Sequence, residues 1–202
     1  MPAGFGRADY TRCLAALIDE LELGPAHVAG ISWGSTVVQE LYRHHPEPTA
    51  TLILVETYAG WTGSLSEEEI QARVADVRRI LAEPARGLAT LPGLFAGDPP
   101  VELISLLEKM AGGVRRESVQ TVLRVMAAAD QRDLLPRIAV PTLLIWGELD
   151  ARSPLSVARQ FEQAIDGAKL VVLPGAGHMS NLEQPEEFNA AVREFCRAHP
   201  PH

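Results

Sequence analysis

The sequence predicts an α/β fold: a parallel sheet of about four strands with helices on both faces and a helical insertion between two strands. Three observations carry this. Continuous apolar runs of strand length stand at 27–31, 51–55, 142–146 and 170–173, without the alternation expected of a sheet with one wet face. Amphipathic helical stretches separate these runs. Residues 64 to 138 carry helical periodicity and no strand signal.

Along the chain, residues 10–22 place Leu14, Leu17, Ile18 and Leu21 at helical spacing, and Gly24-Pro25 closes that helix. His27 to Ile31 reads as a short buried strand. A helix from Ser35 to His45 buries Val37, Val38 and Leu41 and stops at Pro46. The run at 51–55 is the next strand. Ser66 with three glutamates behind it starts a helix whose stripe is Ile70, Val74, Val77 and Leu81. Pro84, Pro92, Pro99 and Pro100 punctuate the stretch behind that helix, and two further helices cover 101–110 and 117–129. The strand at 142–146 ends at Gly147, a helix covers 154–165, and the strand at 170–173 leads to a last helix over 185–198 with Phe188, Val192 and Phe195 on one side. The domain reading is therefore a core from 1–63 and 139–202 around a cap at 64–138.

Composition narrows the function. A chain of 202 residues that is 47% hydrophobic can bury a full core. Its net charge of −8 argues against nucleic acid and anionic membranes as partners. No N-terminal leader pattern and no span-length apolar run is present, so the expected location is the cytoplasm. Cys13 and Cys196 sit in amphipathic helical patterns and read as buried free thiols, with no metal site.

The residues that carry chemistry begin with Gly30-Ile31-Ser32-Trp33-Gly34, which has a strand before it and a helix after it. A sharp turn there holds a serine hydroxyl clear of the sheet, and a Cβ at either flanking glycine is expected to collide with its surroundings. A serine needs a base to take its proton, and the base needs a carboxylate to orient it. Asp150 follows the strand at 142–146, and His178 follows the strand at 170–173. Ser32, Asp150 and His178 thus all stand just past the C-terminal ends of parallel strands, where open α/β sheets build their sites. Glu56, at the end of the strand at 51–55, is a rival for the acid position, and Asp150 also reads as a helix N-cap. Glu148 reads as solvated. His44, His45, His199 and His202 read as solvated and His27 as structural. Trp61 suits either the mouth of the cap or core packing.

These residues resemble the α/β-hydrolase superfamily, within it the enol-lactonase, esterase and cofactor-free haloperoxidase group. Ile145-Trp146-Gly147-Glu148-Leu149-Asp150, Pro174-Gly175-Ala176-Gly177-His178 and Glu183-Gln184-Pro185-Glu186-Glu187-Phe188 carry the likeness with the elbow. The resemblance implies a serine hydrolase of small carboxylic esters, lactones or amides that works through an acyl-enzyme and needs no cofactor. Ser32 would attack, His178 relay the proton, Asp150 orient His178, and the Trp33 N–H steady the oxyanion. Trp33-Gly34-Ser35-Thr36 is also similar to the elbow of proline iminopeptidases, which keeps an aminopeptidase reading open.

One departure shapes the expectations. In that family several strands precede the nucleophile, whereas Ser32 follows the first strand here. Gly4-Phe5-Gly6-Arg7-Ala8 resembles the Gly-x-Gly loop behind an earlier strand, so the chain reads as N-terminally truncated. The family's His-Gly loop supplies a second oxyanion donor, and loss of one donor costs about 10² to 10³ in rate. The strand at 27–31 would be an exposed apolar edge that invites self-association near Val28. The expectation is weak or absent turnover and a homo-oligomer. The alternative is a non-catalytic relative that keeps the triad residues while acting through oligomerisation or a partner.

Overall fold

The computed structural model describes residues 6–82, 91–111, 113 and 115–201. Gly4-Phe5, Pro84 and His202 lie outside them. The elements run α1 (Arg7–Glu20), β1 (Ala26–Ile31), α2 (Trp33–His44), β2 (Thr49–Val55), α3 (Trp61–Ser64), α4 (Glu67–Ala82), α5 (Val101–Ala111), α6 (Arg116–Ala127), β3 (Thr142–Gly147), α7 (Leu155–Ala164), β4 (Lys169–Leu173), α8 (Ser180–Glu183) and α9 (Pro185–Ala198).

The four strands form one parallel sheet in the order β1-β2-β3-β4. Ile31 stands opposite Val55, Val55 opposite Ile145, and Ile145 opposite Val171, so the C-terminal strand ends are aligned at one rim. The continuous apolar runs are explained by cover on both faces. Leu52, Leu54, Leu144 and Trp146 meet α1, α2 and α7 through Ile18, Leu41 and Phe161. Ile53, Val55, Leu143 and Ile145 meet α9 through Phe188, Val192 and Phe195. Every residue of β3 is buried, and each large apolar side chain so placed contributes about 1.5–3 kcal/mol.

Between β2 and β3 the described residues are helical or irregular. The stripe expected on α4 is real: Ile70 and Val77 are buried, with Val74 and Leu81 beside them, against Trp61 and Leu123. Ser66 and Glu69 form the reciprocal cap that starts α4, with the Ser66 N–H donating to Glu69 at 2.8 Å and the Glu69 N–H to Ser66 Oγ at 3.3 Å.

Two expectations need correction. α1 begins at Arg7 and buries Thr11, Ala15 and Ile18, while Leu17 and Leu21 are 52% and 56% exposed. The buried row also has helical spacing but lies one residue round the helix, because the small Thr11 and Ala15 let α1 approach closely. Cys13 and Cys196 are both free, but Cys13 is exposed on the outer side of α1 and Cys196 is half-buried. β1 is an edge strand: Val28 is buried, Ala29 is exposed, and among the described residues only β2 pairs with it. No described helix is long and apolar enough to cross a membrane.

Candidate active site

Ser32 sits between β1 and α2 with φ 50° and ψ −117°, a conformation that costs a non-glycine residue about 1–3 kcal/mol. Three contacts hold it there. The Ser32 N–H donates to Val55 O at 2.8 Å. The buried Ser35 hydroxyl donates to Gly30 O and accepts the Val55 N–H at 3.2 Å. A Cβ on Gly30 would stand 2.5 Å from the carbonyl of Gly34 and 2.6 Å from Ser35 N, so this position requires glycine. The expectation for Gly34 is not met: a Cβ there meets nothing within 4 Å among the described residues. Gly34 lies inside the first turn of α2, and it is the backbone of this turn, at Gly34 and Ser35, that crowds Gly30.

The other two predicted residues arrive on loops that share a rim. The Glu148 N–H donates to Leu173 O at 3.0 Å and the Leu149 N–H to Ala176 O at 2.8 Å, which locks the turn after β3 against the loop after β4. Glu148 is exposed, and its carboxylate accepts the Gly175 N–H at 3.0 Å. Asp150 has two jobs. Oδ1 accepts the N–H groups of Arg152 and Ser153 at 2.7 and 2.8 Å, holding the turn before α7. Oδ2 lies 2.8 Å from Nδ1 of His178. On the other side of that ring, Nε2 lies 2.9 Å from Ser32 Oγ. His178 is 2% and Asp150 5% exposed, so the bond between them is shielded from water, while Ser32 is half-buried.

Glu56, the rival acid, is buried elsewhere. Its Oε1 accepts the Gly147 N–H at 2.9 Å, tying the end of β2 to the end of β3. Burial pushes its carboxyl up to about 9, so near neutral pH it carries a proton. Trp33 is the first residue of α2, where an N–H has no acceptor within the helix. Its ring packs edge-on against Tyr10 at 5.5 Å. Three other histidines stand apart: His27 pairs with Thr51 at 2.8 Å, His44 with Glu40 at 3.3 Å, and His199 with Phe195 O at 2.9 Å.

A cavity of about 220 Å³ opens on Ser32 and His178. Trp61 lines it and also belongs to the apolar cluster beneath α4, so the two readings of this residue are both met. α4 and α6 contribute Val77, Val119 and Met126 to the wall, and Leu91 and Leu94 complete it. The sequence did not single out Leu91, Leu94 or Glu183 as site residues. Only Glu183 left a signal, inside the stretch that ends in Phe188.

The fold and this arrangement of serine, histidine and carboxylate define an α/β-hydrolase, and the sequence profile of the Alpha/beta hydrolase family matches residues 2–191. The chain belongs to that family. It is 35% identical over 187 residues to 3-oxoadipate enol-lactonase 2 of Acinetobacter baylyi, covering 90% of this chain and 67% of that protein. It is 32% identical over 200 residues to the dihydrolipoyllysine-residue acetyltransferase component of the acetoin cleaving system of Pseudomonas putida. The match covers 95% of this chain, which spans half the length of that protein. A thermophilic esterase from Thermogutta terrifontis superposes with a TM-score of 0.84 at 29% identity, covering 98% of this chain and 75% of its own.

Proposed function

We propose that the protein is a serine hydrolase of small carboxylic esters or lactones with an apolar acyl part, acting through an acyl-enzyme. The observation that carries this reading is the unbroken chain from Ser32 Oγ through His178 to Asp150, at 2.9 and 2.8 Å, opening on an apolar cavity. His178 Nε2 takes the serine proton as Oγ attacks the acyl carbon. Asp150 Oδ2 holds the proton on Nδ1 and so keeps Nε2 free as the base. The developing oxyanion lies against the Trp33 N–H at the positive end of α2, where charge is favoured. His178 then returns the proton to the leaving alcohol, and a water activated by the same Nε2 releases the acid. The helical stretch within 64–138 acts as the cap: Val77 of α4 and Val119 and Met126 of α6 shape the acyl pocket and limit water at the ester carbon.

A fluorophosphonate probe tests the nucleophile, because only an activated serine is labelled. Labelling and a slow p-nitrophenyl ester hydrolysis are both expected in the wild-type chain and lost in Ser32→Ala. Hydrolysis that survives this substitution refutes the assignment.

A further inference from the structure

We propose that Glu183 is a positioning residue that clamps segment 91–97 onto the histidine loop, so that Leu91 and Leu94 form the wall that selects the acyl chain. This rests on the serine-hydrolase reading and says which part of the chain sets substrate length. The Glu183 carboxylate accepts two backbone N–H groups from distant stretches: Ala96 on Oε1 at 2.8 Å and Gly177 on Oε2 at 2.8 Å. Hydrogen bonds to an ionised acceptor are the stronger kind. Gly177 is the residue directly before His178.

Two further bonds run the same way. The Met179 N–H donates to Leu94 O at 2.9 Å. Arg152 Nη1 donates to Pro92 O at 3.0 Å, while the Arg152 N–H is itself held by Asp150. Contact is backbone to backbone at the crossing: a Cβ on Gly177 would stand 2.7 Å from the carbonyl carbon of Phe95. The segment lies in no helix or strand, so these bonds, not a ladder, locate it. It is stitched to both loops that carry the triad partners, and its two leucines face the cavity beside Ser32 and His178. An acyl chain leaving the serine must run along them. The class of substrate selected is therefore an ester whose apolar acyl chain is several carbons long, over an acetyl ester.

The test compares kcat/KM for p-nitrophenyl hexanoate and acetate in the wild type, Glu183→Ala, Glu183→Gln, Leu94→Ala and the Glu183→Ala/Leu94→Ala double variant. Glu183→Ala is expected to lower the hexanoate-over-acetate preference by roughly tenfold, chiefly through KM. Glu183→Gln keeps one acceptor oxygen and is expected to lose less. The double variant is expected to show no more than the larger single effect, because both changes act on one wall. An equal loss on both esters, or additive effects in the double variant, overturns the proposal. Hydrogen exchange at Ala96 and Gly177 gives a second readout that needs no turnover. Both amides are expected to exchange at least about tenfold faster in Glu183→Ala, and unchanged exchange overturns the clamp. If Glu183→Ala does not fold, Glu183→Gln and Leu94→Ala carry the same comparison. A wild-type chain that is not labelled by fluorophosphonate counts against the hydrolase reading alone, and exchange still decides the clamp.

Discussion

Replacing Glu56 by glutamine changes how folding depends on pH, in a direction set by the burial of this carboxyl. Glu56 is fully buried at the end of β2 and accepts one hydrogen bond, from the Gly147 N–H. Asp150 and Glu183 face it as like charges, and Ser180 is its neutral neighbour. Burial is the largest cause that moves its carboxyl from 4.5 to about 9. Below pH 4.5 the proton is bound in the folded and unfolded chains alike, and the full contribution to stability is present. Between 4.5 and about 9 the folded chain keeps the proton and the unfolded chain releases it. Stability therefore falls as pH rises, by about 1.4 kcal/mol per pH unit, until the folded group also ionises. Glu56→Gln has nearly the same shape and nothing to ionise. Urea unfolding of both forms at pH ~5.5 and ~8.5 measures the difference. The stability of the variant relative to wild type is expected to grow by on the order of 4 kcal/mol over that interval. A difference that stays constant would mean that Glu56 is already ionised in the folded chain, and the argument from burial would be wrong.

Three further outcomes can be checked. Asp150→Asn keeps an acceptor for the Arg152 and Ser153 amides but turns an NH₂ group toward His178 Nδ1, so kcat on a p-nitrophenyl ester is expected to fall by about 10⁴ with the fold retained. Gly30→Ala forces a methyl against the Gly34 carbonyl and is expected to cost about 1–3 kcal/mol and remove turnover, whereas Gly34→Ala is expected to leave thermal stability equal or higher by about 0.5 kcal/mol. The outer edge of β1 has no partner strand among the described residues; light scattering is expected to show self-association of the 202-residue chain that a charge at Ala29 reduces, and a monomer at all concentrations would refute the edge argument.

Much of the fold was legible along the chain because parallel strands covered on both faces must be apolar at every position. That signature located β1 to β4 within one or two residues, and the Gly-x-Ser-x-Gly turn with Asp150 and His178 behind later strands put the three candidate residues at one rim. These are properties of short stretches, set by local sterics and by burial. The choice between Asp150 and Glu56 was different in kind: both follow a strand of the same sheet, and only the packing of the β3 and β4 loops turned Asp150 to His178 and Glu56 to Gly147. The buried face of α1 was decided by which side could approach α2 closely, so Thr11 and Ala15 went inward and Leu17 stayed out. Segment 91–97 carries no periodicity at all, and its position over Ser32 comes from hydrogen bonds to residues far along the chain. Sequence alone determines what a backbone dictates over a few residues, while side chains that meet across the sheet rim owe their partners to the tertiary fold, because proximity there is set by strand order and loop packing.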